Sequence, residues 1–387
     1  MSDLELENLF SHTDQNAKKY VKFLSDICTY EGTAYDKAAL DALADFVTDF
    51  AVGEGFDVRR VPFEKCGDFL VIEMNASSSE KGAVFLAHAD TVHEKGRFGT
   101  PAVRVEGERM IGPGVIDCKG GIAIALLAML SLKKTGYRKH VKLLITTDEE
   151  ISNVLGGEQE QAFFRDEATG FPMALNCEVA RTGEVTVARK GILRYEVTVT
   201  GKGGHAGISY FETKNPVLEA AHKIVTLQEG SVRGGTTYCC NVVRAGSVSN
   251  VIPDICTFTV DVRILTRAEM NAADARVREI CTKSFIGGTD TQVIRLGARP
   301  PMEASADTDA LFARLAEIGE KYGLEHLTPV VSGGGSDSAY TQALGIPSLC
   351  GLGGCGEFCH SEREYIEIPG VARRAKLLAA LLKGENE

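Results

Sequence analysis

Residues 141–150 read VKLLITTDEE, an apolar run that ends in two threonines and three consecutive acids. A run this short and this apolar suits a strand buried on both faces, as in a parallel sheet. Two other stretches are built alike: GAVFLAHAD at 82–90 ends in His88 and Asp90, and MALNCEV at 173–179 carries Glu178. Helical spacing separates or precedes them, in DQNAKKYVKFLSDICTY at 14–30 and in GGIAIALLAMLSLKKTG at 120–136, which closes at Gly136. Alternating strands and helices make an α/β layer structure, in which sites lie beyond the carboxyl ends of the strands. The polar residues that end these three strands are therefore predicted to converge.

After Arg189 the texture changes. ILRYEVTVTGKGG (192–204) alternates as a half-buried strand, NPVLEAAHKIVTLQE (215–229) is helical, and CTFTVDVRIL (256–265) is a strand. RAEMNAADARVREICTKSF (267–285) is a second helix and TQVIRLGA (291–298) another strand, an order that predicts a compact α+β insert. From about Arg299 the α/β texture returns, with helices over 309–323 and 370–384 and a strand and turn at 346–354. The expected organisation is a discontinuous first domain, residues 1–186 and 298–387, interrupted by an insert at 187–297.

Composition bounds the function. At 387 residues and 44% hydrophobic, the chain supports a large core and more than one domain. A net charge of -11 and a pI near 5.4 argue against a nucleic-acid partner, since an acidic surface repels phosphate and no long Lys/Arg cluster offsets it. The opening MSDLELENLFSHTDQNAKKY lacks the basic start and apolar stretch of a secretory signal, and the longest apolar run falls short of the ~20 residues that span a bilayer. A cytoplasmic location away from membranes is expected. The eleven cysteines include no CxxC pair, so a thiolate zinc site of finger type is not expected.

The candidate ligands each have an ordinary explanation alone. His88 and Asp90 sit two apart on a strand, where a carboxylate can orient a ligating imidazole through its second nitrogen. Asp117, in GPGVIDCKGGIA (112–123), occupies a glycine-bracketed turn, where a loop carboxylate can bridge two cations or merely cap the following helix. The three acids at 148–150 repel one another at a poorly solvated strand end and call for a cation. Alternation along a strand would point Glu149 and Glu150 to opposite sides, leaving one for a metal and one for proton transfer. Glu178 and, far downstream in GEFCHSEREY (356–365), His360 complete the set. Cys118, Cys177 and Cys359 each adjoin a candidate ligand and read as small buried packing residues.

The order HAD (88–90), GxxDxKGG (114–121), DEE (148–150), NCE (176–178) and CHSE (359–362) resembles the M20 family of zinc peptidases and aminoacylases. The likeness runs over most of the chain. It implies a mixed-sheet α/β catalytic domain of zinc-exopeptidase type with an inserted ferredoxin-like α+β lid through which members form homodimers. It also implies two Zn²⁺ per chain, with Co²⁺ or Mn²⁺ as substitutes. His88 and Glu178 would hold one, Glu150 and His360 the other, and Asp117 would bridge them, followed by a cis peptide bond.

By the same resemblance Glu149 is the general base and Asp90 its neighbour in the catalytic set. His205 in GKGGHAG (201–207) would reach across a dimer to the substrate carbonyl. Asn241 lies in the lid stretch near substrate, Arg263 would bind a substrate carboxylate, and the amides of Gly334 and Gly335 in SGGGSDSAY (332–340) would form an anion nest. The expected activity is hydrolysis of a peptide or amide bond in a small substrate with a free carboxylate, a peptide or an N-acyl amino acid. The alternatives are a tripeptide aminopeptidase like peptidase T, and an inactive relative that binds peptides or serves as a scaffold.

Overall fold

The computed structural model describes residues 3–384. The chain divides into two compact units, Met1–Ala188 with Ala304–Ser332 and Ser336–Glu387, and Arg189–Glu303 with Gly333–Gly335. The larger unit begins with α1 (Asp3–Ile27), α2 (Lys37–Gly53), β1 (Asp57–Val61), β2 (Phe69–Met74), β3 (Lys81–His88), β4 (Arg104–Glu106) and β5 (Arg109–Ile111). It continues through α3 (Lys119–Lys134), β6 (His140–Thr146), α4 (Gly157–Ala168), β7 (Ala174–Asn176) and β8 (Glu184–Arg189). The smaller unit holds β9 (Gly191–Thr200), β10 (Gly204–His205), α5 (Pro216–Gln228), β11 (Thr237–Ala245), β12 (Val251–Ile252), β13 (Ile255–Ile264), α6 (Arg267–Thr282) and β14 (Asp290–Arg299). The chain then returns through α7 (Ala306–Lys321), β15 (Thr328–Ser332), α8 (Ser338–Ala343), β16 (Ser348–Leu349), β17 (Gly356–Glu357), β18 (Tyr365–Glu367) and α9 (Ile368–Lys383).

The main sheet has the order β1-β2-β6-β3-β7-β16, with β6, β3, β7 and β16 parallel and the β1–β2–β6 edge antiparallel. Both faces are covered, so strand alternation divides each strand between two cores. On β3, Ala83, Phe85 and Ala87 join the core shared with α1, α3 and α9. Val84 and Leu86 face the opposite core, with Phe163 and Phe164 of α4 and Tyr340 of α8. In the parallel register His88 stands beside Thr146, which places the end of β3 level with the turn that carries the acids.

Helix α3 is buried from Lys119 through Leu132, which accounts for its nearly unbroken apolar sequence. Its glycines have a steric reason. A Cβ on Gly121 would lie 2.0 Å from the Cys177 carbonyl oxygen, so only glycine lets the start of α3 touch the end of β7. That contact brings Cys118, which follows Asp117, against Cys177, which precedes Glu178. The first helix starts at Asp3, well before the predicted Asp14, because Leu6 and Leu9 extend its buried face beneath an acidic surface.

The smaller unit is a four-stranded antiparallel sheet in the order β11-β13-β9-β14, the second, third, first and fourth strands of a βαββαβ sequence. This is the ferredoxin-like arrangement. Leu193, Tyr195, Val197 and Val199 of β9 pack with Phe258, Val260 and Val262 of β13, Ala220 and Leu227 of α5, and Ala273 and Val277 of α6. Thr266 and Glu269 form a capping box that starts α6. No helix among the described residues is long and apolar enough to cross a membrane.

Candidate metal centre

The carboxyl ends of the parallel strands β3, β6 and β7, the turn between β5 and α3, and the turn between β17 and β18 bring the ligand candidates together. Asp117 lies between two imidazoles: its Oδ1 is 3.1 Å from His88 Nε2 and its Oδ2 is 3.3 Å from His360 Nε2. Glu178 Oε1 stands 3.5 Å from His88 Nε2, and Glu150 Oε2 stands 3.2 Å from His360 Nε2. Each imidazole thus has one glutamate and one Asp117 oxygen beside it, and in each of two sets the ligand atoms lie within 4.8 Å of one another, His88 with Asp117 and Glu150, and His88 with Cys118 and Glu178. The Asp117–Cys118 peptide bond is cis.

Behind His88, Asp90 Oδ1 lies 3.3 Å from Nδ1. The same carboxylate accepts the backbone N–H groups of Glu149 at 3.3 Å and Glu150 at 3.1 Å. Asp90, fully buried, therefore ties the first imidazole to the acidic turn. That turn corrects one expectation. Glu149 and Glu150 do not alternate along a strand, because β6 ends at Thr146 and residues Glu149–Ile151 form one turn of 3₁₀ helix. The helical turn, not the pleat, separates their side chains. The third acid, Asp148, faces away and accepts the N–H of Gly156 at 2.8 Å. Burial pushes its carboxyl up to about 6.

The electrostatics of the cluster call for positive charge. Burial, with the Asp117 charge added, pushes the Glu150 carboxyl up to about 8. Hydrogen bonds to Asp117 and then Glu150 raise His360 to about 11. Burial alone would lower His88, but Cys118 and hydrogen bonds to Asp117 and Asp90 raise it well above its usual value. Burial also works against an ionised Asp117, yet hydrogen bonds to His360 and His88 hold it below the ordinary carboxylate range. Crowded carboxylates and imidazoles aimed at one another are a donor set that fits a divalent metal, since imidazole nitrogen and carboxylate oxygen suit Zn²⁺, Co²⁺ or Mn²⁺.

Of the flanking cysteines, Cys118 and Cys177 are buried, with Cys118 Sγ donating to the Cys177 carbonyl at 3.0 Å. Cys359 is exposed, contrary to the packing role expected of it. It belongs to the solvent-facing turn in which His360 adopts a positive φ of 65°.

The candidates of the smaller unit lie within that unit as follows. His205 is exposed on β10, and its Nδ1 accepts the Gly207 N–H at 3.2 Å, which leaves Nε2 to donate. Asn241 is exposed within a bulge of β11, between Cys240 and Val243. Arg263 is gripped from one edge by Asp261, Nε to Oδ1 at 2.6 Å and Nη2 to Oδ2 at 3.2 Å. The carbonyls of Gly334 and Gly335 accept from Arg189 Nη1 at 3.5 and 3.2 Å.

Sequence reasoning missed two residues. Glu364 receives the backbone N–H groups of Ile116 and Asp117 on one oxygen and meets His93 Nε2 at 2.8 Å with the other. The signal was an acid four residues after His360. Spacing could not distinguish it from Glu362, whose side chain is 58% exposed.

Several known proteins share this architecture. Carboxypeptidase G2 of Pseudomonas sp. strain RS-16 is 28% identical, over 97% of this chain and 91% of that protein. Among solved structures, aminopeptidase PepT of Bacillus cereus superposes with a TM-score of 0.77 at 20% identity, covering 96% of this chain and 99% of that one. An M20 family metallo-carboxypeptidase of Sulfolobus solfataricus gives a TM-score of 0.74 at 15% identity, covering 94% and 98%. These structural likenesses bear on fold. Residues 84–384 match the profile of peptidase family M20/M25/M40, a metal-dependent family, and the chain therefore belongs to that family and is a hydrolytic enzyme.

Proposed function

We propose that the protein cleaves an amide or peptide bond in a small substrate bearing a free carboxylate, as a carboxypeptidase, dipeptidase or N-acyl amino acid hydrolase. The observation that carries this reading is Asp117, whose two oxygens face two different imidazoles, each with its own glutamate. His88, Glu178 and Asp117 would hold one Zn²⁺, and His360, Glu150 and Asp117 a second. Bound there, the pair would polarise the scissile carbonyl and acidify a water.

The chain's own residues do the rest. Glu149, buried in the turn beside the ligands, takes a proton from the attacking water and returns it to the leaving amine, a task for a carboxylate that is not itself a ligand. Asp90 holds His88 and the amides of Glu149 and Glu150 in one geometry. His205, with Nε2 as its donor nitrogen, steadies charge developing on the carbonyl oxygen. Arg263 offers the substrate carboxylate its Nη1 edge, which also donates to the Gly333 carbonyl at 3.5 Å, while Asn241 and the Gly334–Gly335 loop complete the contacts.

The smaller unit is read as a lid and dimerisation domain. Helix α5 exposes Val217, Leu218 and Val225, and the edge strand β11 exposes Val242 and Val243. A second copy of the chain pairing here would cover an otherwise open edge. Light scattering that gave a monomer at micromolar concentration would remove this part of the reading.

The relatives support the chemistry but divide on the substrate terminus, one being named a carboxypeptidase and another an aminopeptidase. Hydrolysis of N-blocked and C-amidated dipeptides, after zinc reconstitution, decides between them. Activity that survives N-blocking and is lost on C-amidation is expected. The reverse pattern would replace this reading with an aminopeptidase.

A further inference from the structure

We infer that Glu364 is a positioning residue for the metal centre, fixing Asp117 and His360 in one shared geometry. The inference rests on the proposed metal centre and concerns residues that bind no metal themselves. Glu364 and His93 are 1% and 2% exposed, so their contacts are not screened by water. Oε1 of Glu364 accepts two successive amides, Ile116 at 3.0 Å and Asp117 at 3.2 Å. Oε2 meets His93 Nε2 at 2.8 Å. His93 is itself placed by its N–H, which donates to Thr91 Oγ1 at 3.2 Å, and by edge-on contact with Phe98.

One carboxylate thus joins the loop that follows His88 to two turns that carry ligands, those of Asp117 and His360. At its own end, the Glu364 N–H donates to the Ser361 carbonyl at 3.0 Å and closes that last turn. Two amides aimed at one oxygen fix the Ile116–Asp117 peptide plane, and with it the direction in which the Asp117 side chain leaves the backbone. Asp117 tolerates little error, because each of its oxygens faces a different imidazole. Glutamine in place of Glu364 keeps the shape but removes the charge: its NH₂ group either faces the two amides, donor against donor, or faces His93, which must then take the tautomer with Nε2 as acceptor.

The test uses the full chain as wild type, Glu364→Gln, His93→Gln and Asp117→Asn, stripped with chelator and titrated with Zn²⁺ against a chromophoric chelator. Circular dichroism reports the fold. Wild type is expected to bind two Zn²⁺, and folded Glu364→Gln to bind at least one of them ~10–100-fold more weakly, the usual loss when a ligand's orienting partner is removed. His93→Gln should shift in the same direction by less. Wild-type affinity at both sites in folded Glu364→Gln overturns the inference. Should that variant fail to fold, His93→Gln decides by the same criterion. A wild type that binds no Zn²⁺, or an Asp117→Asn that binds it unchanged, is a separate result that removes the metal centre and this inference with it.

Discussion

Asp90 lies against the inner edge of His88, its Oδ1 3.3 Å from Nδ1, while the opposite ring nitrogen faces Asp117. The pair fixes which nitrogen is available to a metal. Replacing Asp90 by asparagine keeps the volume and the backbone carbonyl that stands 3.1 Å from Nδ1, but removes the charge beside that nitrogen and weakens the acceptor for the amides of Glu149 and Glu150. We expect kcat or metal affinity to fall ~10–100-fold, measured by steady-state kinetics and metal analysis on the same preparation. Wild-type values for both would show that Asp90 only packs.

Glu149→Gln separates proton transfer from binding. Metal content and fold should remain as in the wild type, while kcat drops ~10²–10⁴-fold, the usual cost of losing a placed acid or base. Loss of metal along with activity would make Glu149 a ligand instead.

The metal-free protein should lose stability as pH rises. Glu150 has a folded value near 8 against an ordinary 4.5, so the folded state binds more protons between those limits. His360, raised from 6.5 to about 11, acts in the same direction at higher pH, although solvent exposure tempers its share. Thermal melts of the chelator-stripped protein should therefore show a lower Tm at pH 8 than at pH 6. Saturating Zn²⁺ should flatten that dependence, because the cations take the protons' place. A Tm that rises over this interval without metal would contradict the assignment.

Arg263→Ala should raise KM for carboxylate substrates ~10–100-fold, in keeping with ~1.5–3 kcal/mol for a hydrogen bond to a charged group. kcat should change much less. Asp261→Asn should have a weaker effect of the same kind, since Asp261 holds two of the guanidinium nitrogens. An unaltered KM in Arg263→Ala would take Arg263 out of substrate recognition.

In the smaller unit, Glu219 and Lys223 form an ion pair at 2.7 Å with both side chains fully buried. Lys223 also donates to the carbonyls of Ile280, Cys281 and Lys283, and Glu219 accepts the amides of Phe285 and Ile286, so the pair closes the segment after α6. Lys223→Met leaves a buried carboxylate without its cation and should cost ~3–5 kcal/mol, read as a lowered denaturation midpoint. A midpoint within error of the wild type would show that the pair contributes nothing.

The parallel strands and the polar residues at their ends were legible in the chain because both-face burial leaves a dense, local apolar run. GAVFLAHAD, VKLLITTDEE and MALNCEV each show one. The metal-centre candidates were legible as a set for a related reason: each sits at a strand end or glycine turn, where a charged residue after an apolar run stands out. The acidic first turns of α1 hid its start, since Leu6 and Leu9, three apart on one helix face, stand among acids that mask their burial. The sequence by itself determined the layer architecture, an α+β insert with three of the four strands of its sheet but not β11, and which acids and imidazoles stand at strand ends and turns, since periodicity and strand ends are properties of neighbours along the chain. Tertiary structure alone decided that Asp117 stands between His88 and His360, that Asp261 claims one edge of Arg263, and that Glu364 and not Glu362 turns inward. Those relations depend on the direction of a side chain leaving a turn, which is set by loops meeting across as many as 271 residues between His93 and Glu364.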